Sequence, residues 1–298
     1  MTKNFLIIIV FLILQKNVLS QTGQSGMSFL KLGIGSRAIA MGEAFSLDES
    51  NPSGMHYNPA ALGLSDNTQF MIVHQQWIQD TRSQFLGVVV PTNRFRFGLS
   101  FNSTSVGEIP IRTVPGPAEG TFTSRNLAVG LSTVYCFENF KVGLTVKFLY
   151  EKILVDEASG YAFDFGVVYK TPFDFNVALS TNNIGSMNPL RNESTTLPTS
   201  IRISATKSYN IQSLNSIVTG TSDLVRILPE KKNHLHFGAE FDYDNIFALR
   251  AGIQTGYHAR FFTTGLGFKY NIFIVDYAFV PFRNDFGATH TFSITINL

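Results

Sequence analysis

From Thr68 to the C-terminal Leu298, apolar and polar side chains alternate with a period of two. Phe140, Val142, Leu144, Val146, Phe148 and Tyr150 are interleaved with Lys141, Gly143, Thr145, Lys147, Leu149 and Glu151. Leu235, Phe237, Ala239, Phe241 and Tyr243 alternate with His234, His236, Gly238, Glu240 and Asp242. Phe95–Phe101, Phe247–Ile253 and Phe292–Leu298 repeat the scheme. Successive side chains of a strand point to opposite faces, so each segment has one greasy and one polar surface. About fourteen such segments of around ten residues follow one another, the length a tilted strand needs to cross a hydrocarbon layer. Residues 68–77 and 82–91 are apolar on both faces.

The connections predict the topology. Short ones fall at Pro91–Asn93, Glu138–Asn139, Thr171–Asp174, Ser208–Asn210, Asp244–Asn245 and Tyr270–Asn271, and longer ones at 104–124, 152–160, 184–197, 224–233 and 281–288. In an antiparallel meander every second connection shares a rim. Short periplasmic turns opposite long external loops are the outer-membrane arrangement, and an even strand count returns the C-terminus to the periplasm.

Alternation alone does not say whether the greasy face looks in or out; a soluble sandwich would bury it between two sheets. Composition favours outward. Only 15% of the 298 residues are charged, too few to solvate an exterior of this size. The polar face carries both signs, with Arg96, Lys147, Arg202 and Arg250 against Asp164, Glu240 and Asp276, so an enclosed lumen can pair them internally. The expected fold is an all-β closed antiparallel transmembrane barrel of about fourteen strands in residues 67–298. A net charge of +2 gives no argument for nucleic acid as a partner. Cys136 is the sole cysteine, so neither a disulfide framework nor a cysteine zinc cluster can form.

The N-terminus divides in two. Lys3, the apolar run Phe5–Leu14, and Val18 and Ser20 before Gln21 read as a signal peptide over residues 1–20. Export and spanning by strands place the chain in a Gram-negative outer membrane, with its lipid as a partner. Residues 21–66 lack period two and are rich in glycine and small side chains, with short helical turns expected near 36–41 and 59–62. Such a segment can pack inside a lumen. Arg37 within it needs an acceptor, for which Asp164 and Glu240 are the candidates. Pro59 fixes its own φ and pushes Asn58 toward an extended conformation, favouring a turn or helix start.

Gly35-Ser36-Arg37-Ala38 with Met41-Gly42, then Asn58-Pro59-Ala60 just before the first strand, resemble the FadL-like outer-membrane barrels, and within them the PorV/PorQ-type proteins associated with type IX secretion. Asp276-Tyr277-Ala278-Phe279 and His290-Thr291-Phe292-Ser293 add to the resemblance. It implies fourteen strands and an N-terminal lumenal hatch to which Gly35, Arg37, Ala38, Met41, Gly42, Asn58, Pro59 and Ala60 belong. It also implies a non-enzymatic component of protein secretion, with export machinery or secreted cargo as partners. The alternative within the same resemblance is a transporter for hydrophobic small molecules, with the ligand in the lumen; a purely structural barrel is the third reading. An export component should present apolar loops such as Ile109–Val114 and Ile153–Val155, whereas a transporter should have an apolar pocket continuous with a lateral opening near the hatch. His234, His236 and Glu240 share one strand face, but such spacing is more often lumen lining than a metal site. No cofactor and no catalytic constellation are expected; Gly33-Ile34-Gly35 is not a phosphate loop, because no strand precedes it.

Overall fold

The computed structural model describes residues 25–45, 47 and 51–298. The expected signal peptide, and the start of the expected 21–66 segment, lie outside the described residues. Fourteen strands follow in chain order: Gln69–Gln76 (β1), Thr81–Pro91 (β2), Phe95–Ile111 (β3), Gly120–Cys136 (β4), Phe140–Ile153 (β5), Asp156–Lys170 (β6) and Asn176–Met187 (β7). The second half comprises Ser200–Ile211 (β8), Ser216–Ile227 (β9), Lys232–Tyr243 (β10), Phe247–Gln254 (β11), Phe262–Tyr270 (β12), Phe273–Pro281 (β13) and Ala288–Asn297 (β14). Each pairs antiparallel with its sequence neighbours. β1 then pairs with β14, from Gln69 opposite Asn297 to Gln76 opposite His290, and closes the barrel. Closure gives every strand two hydrogen-bonded neighbours, as a bilayer requires because lipid cannot hydrogen-bond a bare edge.

The burial pattern is inverted relative to a soluble protein. Phe97, Leu99, Leu131, Phe237 and Leu249 are exposed, whereas Arg96, Lys147, Asp164, Arg202, Glu240, Arg250 and Asp276 are all buried. The apolar stripe therefore faces outward and the mixed charges face the lumen. At the rim holding the barrel's C-terminus, exposed phenylalanines and half-buried tyrosines form a girdle. Phe95 lies 5.0 Å from Tyr135, Tyr135 lies 4.6 Å from Phe137, and Phe140 stacks on Tyr169 at 4.4 Å. Aromatic belts of this kind sit at the membrane–water interface. Among the described residues no helix is long and apolar enough to cross a membrane. The protein is thus an outer-membrane barrel spanning by strands. Leu131→Arg on the lipid face should cost about 2–4 kcal/mol near the bilayer midplane. The measurement is the shift in urea midpoint for unfolding from vesicles; a shift no larger than that of Leu131→Ala would contradict the outward facing.

The structure corrects two sequence expectations and explains a third. The turn expected at Ser208–Asn210 is strand: these residues pair with Thr219, Val218 and Ile217, and the chain reverses at Gln212–Asn215, where Asn215 takes a left-handed φ of 48°. A polar cluster looked like a turn, but a short asparagine that accepts positive φ sets the reversal. The loops expected at 104–124 and 152–160 are mostly strand, because β3–β4 and β5–β6 continue as long hairpins. Finally, the two-sided apolarity of β1 and β2 has a cause. Met71, Val73, Phe85 and Val89 point inward and pack with Ile34, Met55 and Leu62 of the N-terminal segment.

That segment lies inside the barrel. Its short helices are Ser36–Ala40 and Gly54–Tyr57, with 3₁₀ turns at Ser28–Lys31 and Pro59–Leu64; those at Ser36–Ala40 and Pro59–Leu64 fall close to the two expected positions. Met27, Phe29 and Leu30 pack against Leu149, Ala162 and Met187 near the external rim. At the opposite end, Pro59–Leu64 leads into β1. Glycines on the strands let the backbones touch: a Cβ at Gly252 would strike the backbone of Met41 and Gly42, and one at Gly143 the backbone of Pro59 and Ala60.

Candidate functional site

The residues of the N-terminal motif are placed together, each for a local reason. Gly35, at φ 84°, precedes the helix Ser36–Ala40. Arg37 on that helix meets Glu240 of β10 through a two-pronged pair, Nε to Oε2 at 2.9 Å and Nη2 to Oε1 at 2.6 Å. Of the two expected acceptors, Glu240 is therefore the partner; Asp164 instead pairs with Lys147 at 2.6 Å. Arg250 bridges Glu240 and Asp276, reaching the latter at 2.7 Å. Ala38 packs with Phe45 and Tyr57, and Met41 is fully buried. Gly42 takes φ 72° against the backbone of Phe237 and Ile253. Asn58 caps the turn that Pro59 begins: its Oδ1 accepts from the Ala60 N–H at 2.9 Å. Arg96 sits away from this network, binding the Ser65 carbonyl at 2.6 Å.

Several further contacts have no counterpart in the sequence pattern. Arg260, in the external connection 255–261, pairs with Glu43 at 2.6 Å. Arg202 pairs with Asp223 and also donates to the Glu43 carbonyl at 3.0 Å. Lys31 and Ser25 both bind Glu230, at 2.6 and 2.7 Å. Burial alone would raise the Glu230 carboxyl, but these two bonds outweigh it and hold it below its ordinary range. Asp223 was visible in principle as a polar-face position of β9. Glu43, Arg260 and Glu230 lie on irregular chain, where no period marks a face.

These contacts surround a cavity of about 350 Å³ opening toward the external rim. Leu30, Leu32, Val225, Ile227 and Pro198 supply apolar wall; Trp77, Tyr257 and Arg260 stand at the mouth; Glu43, His56, Asn182 and Arg202 lie deeper. Arg260 lies over the Tyr257 ring at 4.1 Å, and Tyr257 stacks on His234 at 4.0 Å. His236 bonds Tyr257 through Nε2 at 3.1 Å, while Glu240 is engaged by the two arginines, so the three residues of that strand face do not converge. Among the described residues no group of three metal-ligating side chains occurs.

One side of the cavity abuts an irregularity in the barrel wall. The register of β6 on β7 shifts between Phe163 and Phe165, and Asn183 takes φ 61° opposite Asp164, whose Oδ1 accepts the Asn183 N–H at 2.7 Å. Beyond Asn182 the β7–β8 ladder stops. The seam is bridged instead by Thr199 Oγ1 donating to the Asn183 carbonyl at 2.8 Å and by Asn183 Nδ2 donating to the Pro198 carbonyl at 3.4 Å. Asn182, Asn183, Pro198 and Ser200 of this seam all line the cavity.

The His56 imidazole at the cavity floor is held down to about 3 by burial first, then by the nearby charges of Lys147 and Arg202. Such a base takes its proton more readily in the unfolded chain. Its contribution to folded stability is complete above the ordinary value of 6.5 and erodes as pH falls from there toward about 3. Wild type should therefore lose stability relative to His56→Phe across that window. Unfolding midpoints measured in parallel at pH 7.5 and 4.5 check this; an unchanged difference would contradict it.

A closed fourteen-stranded barrel with apolar exterior, charged lumen and internal cavity is an outer-membrane barrel with a compartment inside its wall. Known structures share this architecture. The chain is similar to the CymD monoaromatic hydrocarbon channel, with a TM-score of 0.64 at 12% identity over 89% of this chain and 98% of that one. It is similar to the TodX deltaS2S3 mutant monoaromatic hydrocarbon channel at 0.62 and 12%, over 89% and 98%. A Pseudomonas aeruginosa FadL homologue follows at 0.52 and 13%, over 88% and 96%. At such identities the likeness is one of fold, and that fold is FadL-like. No family model and no curated protein matches the sequence.

Proposed function

We propose that the protein is a FadL-like, non-enzymatic channel that admits hydrophobic small molecules through the outer membrane, with the N-terminal segment as its hatch. The observation carrying this reading is the cavity whose wall includes the β7–β8 seam, where the strand ladder is interrupted. A molecule entering from outside passes Trp77 and Tyr257, then the apolar wall, and reaches the place where the β7–β8 ladder ends. The fold likeness to hydrocarbon channels supports this reading over the secretion expectation. The secretion reading draws on the motif resemblance and on the exposed hairpin tips Val114, Leu154 and Val155. Recovery of export machinery with the barrel from solubilised outer membrane would favour it.

The test is uptake of labelled toluene by Gram-negative cells that express the chain and lack their own hydrophobe channel. Expression should speed uptake. Deleting Asn183 removes the bulged residue of β7 and should abolish the gain while the barrel still folds. Uptake equal to that of cells without the protein would refute the channel reading.

A further inference from the structure

Asn182, one of the residues lining the cavity, carries a buried hydrogen-bond acceptor that the protein leaves unused. It is 6% exposed and donates through Nδ2 to the carbonyls of His56 and Tyr57, both at 3.0 Å. Those two bonds fix the amide's orientation, because turning it over would set its oxygen against two carbonyl oxygens. Its Oδ1 therefore must accept, yet it meets no donor from the protein. His56 lines the same cavity. Held neutral by its surroundings, an imidazole offers a ring nitrogen as a second acceptor. The nearby cations are already engaged, Arg202 by Asp223 and Arg260 by Glu43. Leu30, Val225 and Ile227 form apolar wall. A dry apolar cavity of about 150 Å³ already holds benzene, so the roughly 350 Å³ here accommodates a substituted ring.

Resting on the channel reading, we propose that this cavity is a recognition site for small uncharged aromatic molecules carrying a hydroxyl, whose O–H donates to Asn182 Oδ1 and His56. The selectivity follows from the acceptor. A plain hydrocarbon leaves a buried oxygen unpaired, whereas a phenolic hydroxyl exchanges its bond to water for a bond the protein lacks. A carboxylate brings a second acceptor and an uncompensated charge.

Trp77, the single tryptophan of the chain, lines the cavity and reports on its occupancy. The experiment titrates the purified full chain in detergent at pH 7 with p-cresol, toluene and benzoate, following Trp77 fluorescence. p-Cresol is toluene with one hydroxyl added, so the pair isolates that group. p-Cresol should bind about tenfold more tightly than toluene. Asn182→Leu combined with His56→Phe should erase that preference while toluene still binds. Equal affinity of p-cresol and toluene in the wild type would overturn the proposal, as would a preference that survives the double substitution, and either leaves the channel reading standing. Benzoate binding tighter than p-cresol would overturn it in favour of an anion site. If none of the three perturbs Trp77, the inference and the channel reading fail together.

Discussion

Glu240→Leu will lower the stability of the barrel by about 3–5 kcal/mol, the cost of stripping one partner from a buried ion pair. Glu240 holds Arg37 from the N-terminal segment and Arg250 from the neighbouring strand, and all three are buried. Without the carboxylate, Arg250 keeps Asp276 at 2.7 Å, but it faces Arg37 with no anion between them. Arg37 then loses both of its bonds to β10, and the helix that carries it loses that anchor to the barrel wall. Leucine adds nothing to offset this, because the surrounding side chains are polar. The measurement is the urea midpoint in detergent micelles, read from the heat-modifiable gel mobility that separates folded from unfolded barrels. Pairing the change with Arg37→Met removes the second buried cation beside Arg250 and should restore part of the loss, since residues in one ion-pair network do not behave additively. A loss under about 1 kcal/mol, the value of an exposed surface pair, would mean that water reaches the network and that the lumen is not packed.

Much of this architecture is written in the chain because a strand's period of two is imposed by backbone geometry. Leu235, Phe237 and Phe241 separate from His236, Glu240 and Asp242 by odd and even position alone, and charge scarcity then decides which side faces lipid. Arg37's need for an acceptor is equally readable, and the fold selects Glu240 from the two candidates. Periodicity is silent where the backbone leaves its regular form. Asn183 and Asn215 turn positive in φ, one to bulge β7 and the other to reverse the chain after β8, and each is a common residue in a common context. Glu43 and Arg260 meet across more than two hundred residues from two irregular stretches, so no spacing in the chain relates them. The cavity inherits this difficulty. Its walls come from strands that could be assigned, but Trp77, Tyr257 and Arg260 at its mouth lie on connections, and Glu43 and His56 deeper in it lie on the N-terminal segment.

Removing residues 27–64 should turn a closed compartment into an open pore. Barrel diameter grows with strand number: about eight strands are filled by their own side chains, while sixteen or more leave an aqueous channel. Fourteen strands lie between these limits, and here the N-terminal segment packs within the lumen. The strands hold several ion pairs without help from it: Arg250 with Asp276 and Glu240, Arg202 with Asp223, and Lys147 with Asp164. The shortened chain therefore retains a satisfied, polar inner wall that water can occupy. It loses stability where Met71, Val73, Phe85 and Val89 now face that water, at about 25 cal/mol for each Å² uncovered. The expected result is a folded barrel of lower urea midpoint that produces discrete conductance steps in planar bilayers, where the intact protein produces none. Glycines such as Gly143 and Gly252, present so that the segment's backbone can touch the wall, no longer serve a purpose in the shortened chain. Replacing them with alanine should then stabilise it, although the same changes in the intact protein would force the segment off its seat. A shortened barrel that folds but stays insulating would mean that the lumen collapses onto itself, and the segment could not then be the element that closes it.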